Sequence, residues 1–128
     1  MTAAPTIEER ERLFRAFARG LFTRDLDALY ETVTADFAWS FHDGLTVTKS
    51  LATRAAVADH LEQQRSLFEQ QRFHDVAYHH LPEITFMTFR VSETVRGTGE
   101  TREQIGIERY LFREGRIAIK DVYRKPAG

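Results

Sequence analysis

The chain has 128 residues, of which 42% are hydrophobic and 12% aromatic, so it can form one domain core and is too short for two. Eighteen Lys and Arg residues against 19 Asp and Glu residues give a net charge of -1, which argues against nucleic acid as a partner. The sequence contains no cysteine, and this excludes disulfides, thiolate nucleophiles and cysteine-ligated metal sites. We therefore expect a single domain over residues 1–128.

Three helices are predicted in the first half of the chain, each starting at a residue that can cap it. The predicted N-caps are Thr6, Asp25 and Thr53. Glu9 completes a capping box with Thr6, and apolar residues at three- and four-residue spacing carry this first helix to Thr23. The second helix is short. The third is predicted to end near Arg72.

Strands are predicted wherever the apolar pattern changes to a period of two. The first strand begins near Asp36, and the Asp43-Gly44 turn leads into a short partner strand. After the third helix the chain is predicted to be all strand, in four segments: 73–81, 84–96, 101–112 and 116–123. The expected fold is α+β, with a cone-shaped, strongly curved antiparallel sheet wrapped around the three helices as a cystatin-like roll. The other sheet face would be solvated or covered by a second subunit.

The distribution of charged and apolar residues along the chain predicts the location of the protein. The first ten residues become acidic and charged instead of apolar, which does not fit a secretion signal. No segment approaches the roughly 20 apolar residues that a membrane span needs. We expect no membrane partner and a cytoplasmic location.

Asp121 is the strongest acid–base candidate. It shares one face of the last strand with Ile117 and Ile119, so its carboxyl would be desolvated if that face is internal. A three-residue loop over 113–115 would place Arg109 opposite Ile119, and therefore diagonal to Asp121 on the same face. The pair could line a pocket or be purely structural, and Asp121 could instead be solvated at a strand end.

The remaining candidates are less specific. A register slip of one residue would bring Glu108 opposite Asp121 in place of Arg109. None of the five histidines has clear metal-ligand spacing, and the sequence has no phosphate-binding loop, so we expect neither a metal nor a cofactor. The predicted ligand-binding residues, which could equally be plain core, are Phe17, Tyr30, Trp39, Phe41, His42 and Tyr123.

The order of elements and three segments resemble the nuclear transport factor 2-like superfamily, particularly its SnoaL-like branch. These segments are 24–30 (RDLDALY), 34–39 (TADFAW) and 110–117 (YLFREGRI). The resemblance spans nearly the whole chain and implies a cone-shaped fold that commonly dimerises through its sheet. It also implies a pocket for an apolar or cyclic small molecule. The enzymes of the superfamily include isomerases, cyclases, hydrolases and dehydratases.

The resemblance further implies roles for single residues. SnoaL-like cyclases use an Asp on the final strand for acid–base work, and Asp121 matches that position. The catalytic base of ketosteroid isomerases falls at Phe41 or His42. Their oxyanion-hole Tyr and Asp fall near Phe17 and Ile105, so both of those polar donors are missing from this chain.

Two classes of function are therefore predicted. The first is a homodimeric protein that binds an apolar or cyclic small molecule and acts on it by acid–base chemistry, with Asp121 as the acid–base group and Arg109 orienting it. The second is a non-catalytic ligand-binding or assembly module of the same fold. Burial of Asp121 in an open cavity would favour the first class.

Overall fold

The computed structural model describes residues 4–127, which form three helices and one six-stranded sheet. The helices are α1 (Ile7–Thr23), α2 (Leu26–Glu31) and α3 (Arg54–Leu67). The strands are β1 (Val33–Asp43), β2 (Thr46–Leu51), β3 (Phe68–His80), β4 (Ile84–Val95), β5 (Thr101–Arg113) and β6 (Arg116–Pro126). The predicted α+β class is confirmed. No helix within residues 4–127 has the length and apolar character to cross a membrane.

The three predicted N-caps are confirmed. The Thr6 side chain accepts from the backbone N–H of Glu9, whose side chain in turn accepts from the backbone N–H of Thr6. The side chains of Asp25 and Thr53 accept from the backbone N–H groups of Ala28 and Ala56 and so cap α2 and α3. The predicted end of α3 near Arg72 is wrong, because the chain turns extended at Phe68 and pairs with β4 from there onward.

The strand order is β2-β1-β6-β5-β4-β3, so the sheet is open, with β2 and β3 at its edges. Four of its neighbouring strand pairs are antiparallel, as predicted, whereas β1 and β6 run parallel and make the sheet mixed. In this parallel pair Trp39 lies beside Lys120 and Phe41 beside Val122. The first and last strands therefore meet in the interior of the sheet.

One face of the sheet packs against the helices and is called the inner face here. The core lies between this face and the helices. Its buried residues include Phe14, Phe17, Leu29, Phe37, Trp39, Met87, Phe89, Tyr110 and Val122. α1 and α2 approach closely at Gly20, where an added Cβ would lie 2.9 Å from the backbone nitrogen of Leu29. This contact requires glycine, and it holds the two helices over the inner face.

The hairpin between β5 and β6 sets which side chains share a face. Its turn is Glu114-Gly115, and both residues have positive φ angles of 54° and 75°, as in a two-residue type I′ turn. An extra residue at Ala118 then forms a β-bulge. The predicted three-residue loop and the pairing of Arg109 with Ile119 are wrong, because the turn and the bulge place Arg109 directly opposite Asp121.

Candidate functional site

The predicted Asp121–Arg109 pair exists, and it lies on the outer face of the sheet, away from the helices. Arg109 Nη1 donates to Asp121 Oδ2 at 2.9 Å, and His42 Nε2 lies 3.2 Å from Asp121 Oδ1. The Tyr123 ring stacks on His42 with ring centres 4.6 Å apart. These neighbours leave Asp121 only 7% exposed. The structure thus joins four predicted residues into one outer cluster.

The predicted aromatic residues divide between different places. Trp39 and Phe41 line a cavity between the inner face and the helices. Phe17 lines an adjoining smaller cavity. Tyr30 packs edge-on against Phe37 and under the guanidinium of Arg54, and lines neither of these cavities. Ligand binding by these residues stays a prediction.

The inner cavity has two chambers. The larger, of about 280 Å³, is bounded by the ends of α1 and α3 and by the inner face. The smaller, of about 160 Å³, lies between α1 and the sheet. Both chambers are lined by Leu21, Phe22, Phe73, Glu108 and Lys120. Two ionisable side chains therefore stand between chambers that are otherwise mostly apolar.

Lys120 and Glu108 form a buried ion pair at this boundary. Lys120 Nζ lies 3.2 Å from Glu108 Oε1, and the two side chains are only 4% and 3% exposed. The hydroxyl of Tyr110 donates a hydrogen bond to the same oxygen. Both of these contacts go to Oε1 of Glu108, so Oε2 is the carboxylate oxygen that remains for a ligand.

Three aromatic rings surround the ammonium of Lys120. Its Nζ lies 4.5 Å from the ring centre of Trp39, 5.0 Å from that of Phe17 and 5.7 Å from that of Tyr110. Burial lowers the pKa of Lys120, and the Glu108 carboxylate opposes this shift. Burial and the same carboxylate raise the pKa of Tyr110 well above its usual value, so Tyr110 remains a neutral phenol at pH 7.

A second ion pair lines the larger chamber. Arg124 Nη1 lies 3.4 Å from Glu93 Oε2, and Gln71 donates to that oxygen at 2.6 Å. The guanidinium lies over the rings of Phe73 and Phe89, 5.6 and 5.4 Å from their centres. In the described part of the chain, Nε of Arg124 finds no acceptor.

His60 of α3 also lines the larger chamber. Its ring packs against Trp39 and Phe41, with ring centres 5.0 and 5.1 Å apart. Lys49 Nζ lies 3.0 Å from Nδ1 of His60, and since an ammonium only donates, Nε2 of the neutral ring carries the hydrogen. Burial lowers the pKa of His60 to about 4, with help from the charges of Lys49, Lys120 and Arg124. His60 is therefore neutral at pH 7.

Sequence reasoning missed this inner set because it followed the wrong face of the last hairpin. Ile119 shares the outer face with Asp121, whereas Lys120 and Glu108 lie inward. Ile117, which was predicted to share the face of Asp121, is instead fully buried in the core, because the bulge at Ala118 shifts the alternation. The signal in the sequence was a pair of opposite charges, Glu108 and Lys120. The residues two positions further along their strands, Tyr110 and Val122, belong to the core. Residues 4–127 contain no group of three His, Asp or Glu side chains that could hold a metal ion.

The match to a known protein family extends over most of the domain. The family model described as a SnoaL-like domain matches residues 11–119, which is most of the chain. This chain belongs to the SnoaL-like family. No curated protein matches its sequence.

Solved structures show how widely this SnoaL-like fold is shared. A nuclear-transport-factor-2-like protein from Burkholderia xenovorans LB400 superimposes with a TM-score of 0.81 at 14% identity, over 94% of this chain and 92% of that one. A suggested polyketide cyclase from Xanthomonas campestris pv. campestris gives 0.74 at 17% identity, over 91% and 90%. TerC, crystallised with polyporic acid, gives 0.74 at 12% identity, over 89% of each chain. Likeness at these identities shows the fold alone.

Proposed function

We propose that this SnoaL-like domain binds an apolar or cyclic small molecule in its inner cavity and catalyses proton transfer next to a carbonyl group. The observation that carries the proposal is the Lys120–Glu108 ion pair, buried at the boundary of two mostly apolar chambers. Burying two ions costs several kcal/mol in desolvation, and apolar residues of similar size would often be at least as stable there. The presence of such a pair beside a cavity supports a chemical role.

The geometry supports a division of labour in which both residues act on one substrate. Oε2 of Glu108 removes a proton from the carbon beside the carbonyl, so a C–H bond breaks and a carboxylic acid forms. The ammonium of Lys120 donates a hydrogen bond to the oxygen that becomes negative. Glu108 then returns the proton to the same or another carbon, which regenerates the carboxylate. Tyr110 is a positioning residue, because its hydroxyl fixes Oε1 of Glu108.

Two further features support an oxygen-bearing ligand. In residues 4–127, Nε1 of Trp39 and Nε of Arg124 are buried donors without an acceptor, although such groups are nearly always paired in folded proteins. Both side chains line the larger chamber. Among the structural neighbours, TerC was crystallised with polyporic acid, which is consistent with a ligand-binding role for this fold.

The proposal includes a homodimer that forms through the outer face, in the cytoplasm. Ile107 is 45% exposed there, in the middle of β5. It lines an open groove together with Thr88, Ile105 and Tyr123. A second copy of the chain would remove this apolar surface from water.

A second catalytic assignment remains for the same reaction class. It places the acid–base group at Asp121, with Arg109 to orient it, and it is favoured by the contacts of the outer cluster and by the low exposure of the Asp121 side chain, 11%. The alternative is a non-catalytic ligand-binding or assembly module, in which the Lys120–Glu108 and Arg109–Asp121 pairs are structural.

Hydrogen exchange on a simple cyclic ketone tests these assignments. 2-Tetralone in D₂O is incubated with the protein, and NMR follows the loss of its α-hydrogens. We expect wild type to accelerate exchange, Glu108→Gln to abolish the acceleration, and Glu93→Gln to retain it as the matched buried carboxylate in the same cavity. Circular dichroism confirms that each variant is folded.

The other outcomes assign the function differently. Loss of exchange in Asp121→Asn but not in Glu108→Gln would move the reaction to the outer cluster. Binding of tetralone with no accelerated exchange would support the non-catalytic module. Absence of both binding and exchange would contradict a pocket for cyclic ketones.

A further inference from the structure

Within residues 4–127, Arg24 at the exposed edge of the larger chamber is a cation without a carboxylate partner. Two carboxylates line the chamber, and each is paired, Glu108 with Lys120 and Glu93 with Arg124. Arg24 lines the same chamber and is exposed to solvent. No carboxylate of the described residues lies within 4.0 Å of its guanidinium. The charge of Arg24 at the edge of the chamber is thus available to a ligand.

The backbone at Arg24 has a conformation that costs stability for a residue with a side chain. Arg24 ends α1 in the left-handed conformation, with φ 56° and ψ 35°, and its N–H bonds to the carbonyls of Gly20 and Leu21. Glycine is the usual residue at such a cap, because any side chain is strained there. Arginine therefore lowers stability relative to glycine at this site. A charged side chain kept at this cost fits a role in binding.

The rim around Arg24 is apolar. Phe22 is 56% exposed and Leu67 is 48% exposed, and both line the larger chamber. An apolar body passing this rim would reach Trp39 and Phe41 inside. A ligand that contacts the apolar rim, the aromatic interior and Arg24 at the same time has an apolar ring system at one end and a negative charge at the other.

We propose that the ligand is an amphipathic organic acid, whose ring system fills the larger chamber and whose carboxylate binds Arg24 at the mouth. This inference rests on the proposed function, since it names the substrate class of that same cavity. It places the charged group at the entrance, so the inner end of the molecule is the part that reaches Lys120 and Glu108. The structure thereby orients the substrate as well as selecting it.

A pair of probes that differ only in charge tests the proposal. 2-Naphthoate and 2-naphthamide are titrated calorimetrically at pH 7.5 into wild type, Arg24→Gln and Arg24→Lys. We expect the acid to bind about tenfold more tightly than the amide, as one charge-assisted hydrogen bond predicts. Arg24→Gln should remove this preference without changing amide binding, and Arg24→Lys should keep part of it.

The control is Arg15→Gln, which removes an exposed arginine of the same helix that lines neither inner chamber. It should bind both probes as wild type does. Equal affinity of wild type for acid and amide would overturn the inference and leave the proposed pocket standing. A preference for the acid that survives Arg24→Gln would overturn the role of Arg24. Failure of both probes to bind at millimolar concentration would overturn the inference together with the cyclic-ligand pocket.

Discussion

Lys120 and Asp121 are consecutive residues of β6 whose side chains lie on opposite faces of the sheet, each in an ion pair with a residue of β5. Lys120 pairs with Glu108 on the inner face, and Asp121 pairs with Arg109 on the outer face. The two pairs lie on opposite faces of the same two strands. The positive charge is on β6 in the inner pair and on β5 in the outer pair. Substitutions at adjacent positions therefore report on two separate sites.

The inner pair should show the asymmetry of a buried ion pair. Lys120→Met leaves the Glu108 carboxylate buried without its cation, and we expect the free energy of unfolding to fall by about 3–5 kcal/mol. Adding Glu108→Met removes the unpaired charge and should restore most of that loss. Urea unfolding of the two single variants and the double variant measures this coupling. Additive effects would contradict a direct interaction between the two side chains.

The outer pair should matter less to stability and not at all to the inner site. Asp121→Asn weakens contacts with Arg109, whose side chain is 38% exposed, so we expect a loss of about 1 kcal/mol in unfolding free energy. Tetralone exchange and naphthoate binding should match wild type. A folded Asp121→Asn protein that has lost exchange would restore the catalytic role predicted for Asp121 from the sequence.

Stability should decline in mild acid because of His60. Its pKa is about 4 in the fold against 6.5 as the reference value, so below pH 6.5 the unfolded chain binds a proton that the folded protein does not. The unfolding free energy therefore falls as the pH decreases from 6.5 towards 4, by up to about 3 kcal/mol. Urea titrations at pH 7, 6 and 5 measure the slope. His60→Gln should flatten it, whereas the exposed control His79→Gln should not.

The outer face gives a prediction about assembly. Ile107→Glu places a charge in the middle of the exposed apolar groove, so we expect it to shift a homodimer to monomer in sedimentation velocity. Thr101→Glu, at an exposed position at one end of β5, adds the same single negative charge, serves as the charge-matched control and should remain dimeric. A monomeric wild type would contradict the dimer.

Arg24 offers a test that separates stability from binding. Arg24→Gly relieves the left-handed strain at the end of α1 and should raise the unfolding free energy by about 0.5–1 kcal/mol. The same variant should lose the preference for naphthoate over naphthamide. Thermal melts and calorimetry on one preparation measure both quantities. A destabilised variant would show that the Arg24 side chain supports the fold.

Local chemistry made much of the fold predictable. The caps at Thr6, Asp25 and Thr53 are short-range signals, and the structure contains each of them. The turn predicted at Asp43-Gly44 lies one residue later, at Gly44-Leu45. The end of α3 was missed because residues 69–72 have no strong preference, and pairing of Phe68 with Val95 across the sheet decides their conformation. Such long-range pairing leaves no local mark.

The candidate site was harder to predict because face assignment depended on apolar alternation. On β5 and β6 the isoleucines at 105, 107 and 119 lie outward, while Glu108 and Lys120 lie inward. Alternation therefore predicted the wrong inner face. The bulge at Ala118 added a shift of register that no pattern of alternation contains. The pairing of Arg109 with Asp121 was nevertheless found, because it needs only that both share a face.

The parallel pairing of β1 with β6 has a consequence for how the domain is built on the ribosome. β1 can pair with β2 as soon as that hairpin emerges, but its other edge must wait for the last strand. Lys120 and Arg124 both belong to that strand. Until it inserts between β1 and β5, Trp39 and Glu108 belong to separate halves of an unfinished sheet. The inner cavity therefore cannot form until β6 has been synthesised and has joined β1 to β5.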